Sequence, residues 1–227
     1  MLLLPSMMCA DFLRLGEEVD ELVEAGCDGF HLDVMDGHFV PNLGMGLGDV
    51  EAICGRSKVP CDVHLMSNHE PTTIDLLVKA GVQIVYVHQE AEPTINSTLL
   101  QIERLGAHPG LVVDPGVNFE TVETSLPVVD YVLVMTVNPG FSGQKYLDYV
   151  DEKLERFVAA KEKYGYKVII DGACSPAVIE KASKMGVDGA VLGTSAVFAR
   201  AAPTPTSSRN SASCRRDKGV RALCHLF

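Results

Sequence analysis

Apolar residues fall along this chain in two alternating rhythms. Short runs rich in Val, Ile and Leu recur between longer stretches in which apolar positions return every three or four residues. The first kind predicts strands over Leu2–Ser6, Gly29–Met35, Pro60–Met66, Gln83–His88, Pro109–Val113, Asp130–Val137, Lys167–Asp171 and Gly189–Gly193. The second predicts helices over Leu13–Ala25, Gly48–Cys54, Thr72–Ala80, Thr94–Leu105, Phe119–Ser125, Leu147–Tyr164 and Pro176–Met185. The phrases "EAGCDGF", "KAGVQIV" and "SKMGVDGAV" each read as helix stop, short loop and buried strand, with Gly where a helix ends.

Strands that alternate with helices are joined by right-handed crossovers and lie parallel. Eight such units in about 200 residues give a (β/α)8 barrel. A doubly wound open sheet is the structural alternative, but no GxGxxG follows the first strand to favour it. The eighth unit lacks its helix. After "LGTSAVFARA" the chain reads "APTPTSSRNSASCRRDKGVRALCHLF", with no apolar face of useful length. The expected organisation is a barrel over residues 1–199 and an atypical, poorly ordered tail over residues 200–227.

Charge follows the same boundary. Residues 1–199 carry a net −16 and residues 200–227 a net +5, for −11 over the 227-residue chain. An acidic body is a poor partner for nucleic acid, which needs a basic face. No apolar run approaches the roughly 20 residues that span a bilayer, and "MLLLPSMMCA" lacks a basic leader and breaks at Pro5. The expectation is therefore a cytoplasmic protein with neither nucleic-acid nor membrane partner. Seven cysteines without a CxxC pair argue against a disulfide scaffold or a thiolate zinc site.

In a barrel the active site sits at the C-terminal ends of the strands. Those ends carry Ser6, His31, Asp33, His64, His88, Asp114, Met135, Asp171, Gly193 and Thr194. His31 and Asp33 stand two residues apart on one strand face, where polar side chains are costly unless used. With His64 and Asp171 they form a set of two imidazoles and two carboxylates that suits one divalent cation. Zn2+ or Fe2+ fits such donors, with Mn2+ or Co2+ also open. Met35, Met66 and Met135 would line the same mouth. Asp62 and Asp36 are set off the ligand face and given structural roles, Asp36-Gly37 making a turn. His38, His69 and His108 have no evident partner, and His88 is open between lining the pocket and packing. "NPGFSGQ" (138–144) is long and flexible enough to act as a lid. "DGAC" (171–174) and "LGTS" (192–195) put small residues where backbone amides can approach a phosphate.

In order, "PSMMCAD", "HLDVMDGHFVPN", "DVHLM", "VMTVNPGFSGQK", "IDGACSP" and "LGTSAVF" resemble the motifs of ribulose-phosphate 3-epimerases and their relatives, from residue 2 to about 199. The resemblance implies an isomerase of carbohydrate metabolism on a ribulose-phosphate-binding barrel, serving the pentose phosphate pathway and commonly oligomeric. It implies His31, Asp33, His64 and Asp171 as metal ligands, and Asp33 and Asp171 as the acid/base pair. Ser6, His64, Met35, Met66 and Met135 would contact the phosphorylated ketose. Gly140, Phe141, Ser142, Gly143, Gly172, Ala173, Gly193 and Thr194 would form the lid and phosphate contacts. Inverting a carbinol carbon beside a ketone needs one carboxylate on each side of the substrate plane, which Asp33 and Asp171 could supply. The expected reaction is D-ribulose 5-phosphate to D-xylulose 5-phosphate through an enediolate. "IDGAC" in place of the usual "VDGG", together with "MMCAD" and "PGFSGQ", leans toward relatives that act on D-allulose 6-phosphate. That substrate, and an inactive phosphosugar-binding barrel, stay open as alternatives. A related decarboxylase would want a Lys where "DVHLM" stands.

Overall fold

The structure, a computed structural model, describes residues 1–68 and 71–198. Eight strands carry the chain: β1 (Leu2–Pro5), β2 (Phe30–Met35), β3 (Cys61–Met66), β4 (Ile84–His88), β5 (His108–Val113), β6 (Tyr131–Met135), β7 (Lys167–Asp171) and β8 (Gly189–Leu192). Between them run α1 (Leu15–Glu24), α2 (Leu47–Arg56), α3 (Pro71–Lys79), α4 (Ile95–Arg104), α5 (Phe119–Val122), α6 (Asp151–Tyr164) and α7 (Pro176–Met185). All strand pairs are parallel, in the order β1-β8-β7-β6-β5-β4-β3-β2. A parallel bridge between Ser6 and His31 brings the two ends together, so the sheet is a nearly closed barrel.

The predicted strands all form, with ends displaced by no more than two residues and β7 unchanged. The predicted fifth helix is a single α-turn continued by a 3-10 stretch over Glu123–Val128, which contains Pro127. Proline has no amide hydrogen to give an α-helical ladder. Among the described residues no helix follows β8. The tail expected over residues 200–227, and His69, lie outside the described residues.

Three connections share one device. Asp28 donates its amide to Leu3 O at 3.0 Å and accepts Leu3 N on Oδ2 at 2.8 Å. Gln83 does the same with Cys61, at 2.9 and 2.7 Å, and Asp188 with Val168, both at 2.8 Å. Each side chain thus stands in for one more rung of the ladder and satisfies an amide at the strand's entry. Each stands two residues after the first Gly of its helix-stop phrase.

Residues alternate across each strand. Leu32, Val63, Val85, Leu111, Val132, Val168 and Ala190 face the helices in the larger core. Leu4, Tyr86, Val112, Leu133, Ile169 and Val191 fill the barrel interior. Burying one such side chain contributes about 1.5–3 kcal/mol. Gly110 is fixed by this interior: a Cβ there would stand 2.3 Å from Cδ1 of the fully buried Tyr86. The interior is solid up to Tyr86 and turns polar above it.

Candidate active site

Strands β2 and β3 pair with Asp33 opposite His64 and Met35 opposite Met66, so their inward side chains form rows at the barrel mouth. His31 Nε2 lies 3.5 Å from Asp33 Oδ1 and 3.8 Å from Asp171 Oδ2. His64 Nδ1 lies 3.6 and 3.5 Å from the same two oxygens. Ligand atoms of all four residues fall within 4.8 Å of one another. Both facing nitrogens are buried without a hydrogen-bond partner. An orphaned buried lone pair is expensive, and here two of them point at one spot between two carboxylates. Bonds of 2.0–2.1 Å to a tetrahedral centre would put donors about 3.4 Å apart. The separations, the donor types and the orphaned nitrogens all fit a divalent cation.

Electrostatics agree. Burial opposes the charged form of His31, yet the Asp62 and Asp33 carboxylates overcome it and hold the ring well above the ordinary imidazole range. His64 is raised against its burial in the same way by Asp171 and Asp33. Burial works against the Asp33 carboxylate too, but the two histidines hold it below the usual range. The cluster attracts positive charge.

Asp62 corrects the sequence reading. It sits two residues before His64 and so shares its inward face, not the opposite one. Its Oδ1 lies 2.5 Å from His31 Nδ1, with both groups buried. A carboxylate on one ring nitrogen fixes the tautomer and leaves the other nitrogen free as a ligand. Asp36 is the turn residue expected, accepting the amides of His38, Phe39 and Asn68. The histidines expected to lack partners have them: His108 Nδ1 meets Asp130 Oδ2 at 2.6 Å, and His38 Nδ1 meets Asp36 O at 3.0 Å. His88 is fully buried rather than pocket-lining, and burial pushes it down to about 4.

Above the cluster opens a cavity that is continuous with solvent. Ser6, Asp33, Met35, His64, Met66, Met135, Gly140, Phe141, Ser142, Gly143, Asp171, Gly172, Ala173, Gly193 and Thr194 all line it, while His31 is buried beneath. Ser6 Oγ donates to Asp33 Oδ2 at 2.6 Å. The sequence reading missed Cys9 and Cys174, which also line the cavity. Both lie inside motifs quoted for other residues, and apolar burial of thiols gave no reason to single them out.

The 138–144 loop is braced more than its glycines suggest. Gln144 donates to the carbonyls of Asn138 and Phe141, and Asn42 donates to that of Gly140. After β7, Gly172 at φ +115° leaves no room for a side chain, since a Cβ would stand 2.5 Å from Val137 Cγ2. Ala173 follows at φ 50°, left-handed for a residue with a side chain. Such backbone is kept where the surroundings demand it, often at functional sites. Among the described residues no Lys or Arg lines the cavity, so there an anion would be held by backbone amides.

Comparison with known proteins decides the family. The profile of the ribulose-phosphate 3 epimerase family matches residues 2–198. The chain belongs to this family. It is 40% identical over 198 residues to the chloroplastic ribulose-5-phosphate-3-epimerase of Arabidopsis thaliana, covering 86% of this chain and 70% of that one. It is 37% identical over 195 residues to the ribulose-phosphate 3-epimerase of Aquifex aeolicus, covering 85% and 88%. The fold alone is shared with phosphoribosyl anthranilate isomerase from Thermus thermophilus, at TM-score 0.67 and 15% identity over 100% of this chain and 96% of that one. As a member of the ribulose-phosphate 3-epimerase family the chain is an isomerase on a TIM barrel.

Proposed function

We propose that this protein interconverts D-ribulose 5-phosphate and D-xylulose 5-phosphate by metal-dependent proton transfer at C3. The observation that carries the reading is the pair of orphaned histidine nitrogens converging on two carboxylates at the floor of a cavity. The substrate named in the family and its relatives favours the pentulose over allulose 6-phosphate.

His31, Asp33, His64 and Asp171 would hold one divalent cation. When bound, it supplies electrostatic stabilisation to negative charge developing on the substrate's oxygens. The remaining work belongs to the chain. Asp33 and Asp171 project from β2 and β7, with Asp33 Oδ1 and Asp171 Oδ2 near the histidine nitrogens. One carboxylate removes the C3 proton on one face, giving an enediolate, and the other returns a proton on the opposite face. Ser6 holds Asp33 Oδ2 from the side away from the histidines, fixing the orientation of that carboxylate. Met35, Met66 and Met135 wall the reacting carbons and exclude water. The amides of Gly172, Ala173, Gly193 and Thr194 take the phosphate, with the Gly140–Gly143 turn closing over it.

The test is the kcat/KM for 3-epimerisation of ribulose 5-phosphate against that for allulose 6-phosphate, with metal-loaded and chelated protein. The pentulose should be the better substrate, and chelation should abolish turnover. Asp33→Asn and Asp171→Asn should each lower kcat by about 10²- to 10⁴-fold, the range for a lost acid/base group. A higher kcat/KM on the hexulose would overturn the substrate assignment. Unimpaired asparagine variants would overturn the two-base mechanism.

A further inference from the structure

His64 and His88 meet through their Nε2 atoms, 2.7 Å apart. At that distance one nitrogen donates and the other accepts. A neutral imidazole carries one N–H and one lone pair, so this single choice also fixes what each ring presents at Nδ1. If His64 donates from Nε2, its Nδ1 keeps the lone pair, and Nδ1 is the atom that faces Asp33 and Asp171. His88 then accepts at Nε2 and bears its own proton on Nδ1. Asp114 Oδ1 lies 3.2 Å from that Nδ1; both atoms are buried and make no hydrogen bond in this geometry, so each is the other's nearest available partner. In the reverse arrangement His88 would turn a lone pair toward a carboxylate oxygen, and His64 would lose the lone pair a cation needs.

We propose that His88, oriented by Asp114, is a positioning residue that fixes the tautomer of His64 and keeps its Nδ1 open as a metal ligand. The proposal rests on the metal site described under the proposed function. The surroundings hold the chain of contacts rigid. His88 is fully buried, with the Phe39 ring 4.6 Å and the His64 ring 4.9 Å away between centroids. Lys153 Nζ donates to the carbonyls of Asp114, Pro115 and Val117 at 2.5, 3.1 and 3.0 Å, clamping the loop that carries Asp114. The two ligand histidines are thus backed in different ways. His31 offers Nε2 with Asp62 behind Nδ1, and His64 offers Nδ1 with His88 behind Nε2.

One consequence concerns a second group of ligand-type atoms. His88, Glu90 and Asp114 bring theirs within 4.8 Å of one another. While His64 ligates through Nδ1, His88 carries its proton on Nδ1 and has no lone pair there for a cation. The two clusters are therefore alternatives rather than two simultaneous sites.

The experiment has two readouts on the full chain. Long-range 1H–15N correlation of the Zn2+-loaded protein should show His64 protonated on Nε2 and His88 on Nδ1. A proton on His88 Nε2 would overturn the proposal. Zn2+ affinity by chelator competition should weaken roughly 10- to 100-fold in His88→Phe, the usual loss when a metal ligand's partner is removed. His88→Gln, whose amide oxygen can still accept from His64, should recover most of that loss. Unchanged affinity in His88→Phe would overturn the proposal. Equal loss in both variants would do the same, since it would show a packing effect. If wild-type protein bound no divalent cation, the metal reading would fall and this inference with it. Intact wild-type binding with an unaffected His88→Phe would sink the inference alone.

Discussion

At the scale of single residues, the site depends on ring nitrogens whose partners are fixed. His31 has Asp62 on one nitrogen at 2.5 Å and the open cluster on the other. Asp62→Asn keeps the volume but substitutes an amide that can donate, so it can turn the His31 proton to Nε2 and block the ligand position. Metal affinity should fall by roughly 10- to 100-fold in Asp62→Asn, read by chelator competition, and affinity equal to wild type would refute this role. The four ligand candidates were legible in the sequence because each is a His or Asp set among apolar neighbours. Asp62 stands level with His31 in the β2–β3 register and two residues before His64, so the alternation along the strand puts it on the ligand face. Nothing in "CDVHLM" shows that its carboxylate meets a histidine on the neighbouring strand, a contact set by the β2–β3 register.

At the scale of elements, the strands and most helices follow from apolar periodicity and glycine stops. Their ends moved by up to four residues, α6 starting at Asp151 rather than Leu147, because hydrogen bonding beyond the pattern decides where a ladder stops. Asp188 illustrates this. Its carboxylate accepts the Val168 amide and also meets Lys161 Nζ at 2.8 Å, joining β7, β8 and α6. Asp188→Ala should lower stability by about 1–3 kcal/mol, because it leaves a strand amide without its acceptor. Chemical denaturation measures it, and a loss well under 1 kcal/mol would show that the ladder extends without the side chain. Gly110→Ala tests the barrel interior. Its Cβ would collide with the Tyr86 ring, and overpacking of that kind costs about 1–3 kcal/mol. Adding Tyr86→Leu should recover part of the loss, whereas independent, additive losses would argue against this contact as the cause. The sequence marked Gly110 only as part of a strand, since the ring that excludes a side chain there belongs to β4.

At the scale of the whole molecule, the barrel, its cavity-bearing mouth and its acidic character fit together. A body with excess negative charge can still meet an anion with backbone amides, and among the described residues the cavity lining contains no cationic side chain. The order of strands and the position of the mouth were legible from the alternation of elements. The region expected to replace the eighth helix lies beyond the described residues. Cation binding should be linked to global stability, since the four ligands come from β2, β3 and β7 and converge only in the folded state. At a free metal concentration 100 times Kd, the gain should be about 2.7 kcal/mol. Thermal unfolding with and without chelator checks this, and an identical Tm in both would contradict metal binding at the site.

The most direct test of the central claim is solvent-deuterium incorporation at C3 of D-ribulose 5-phosphate in heavy water. Metal-loaded protein should introduce deuterium at C3 as D-xylulose 5-phosphate forms, chelation should stop it, and added divalent metal should restore it. Folded, metal-loaded protein that leaves C3 unlabelled, or labelling that persists at full rate after chelation, would contradict the account.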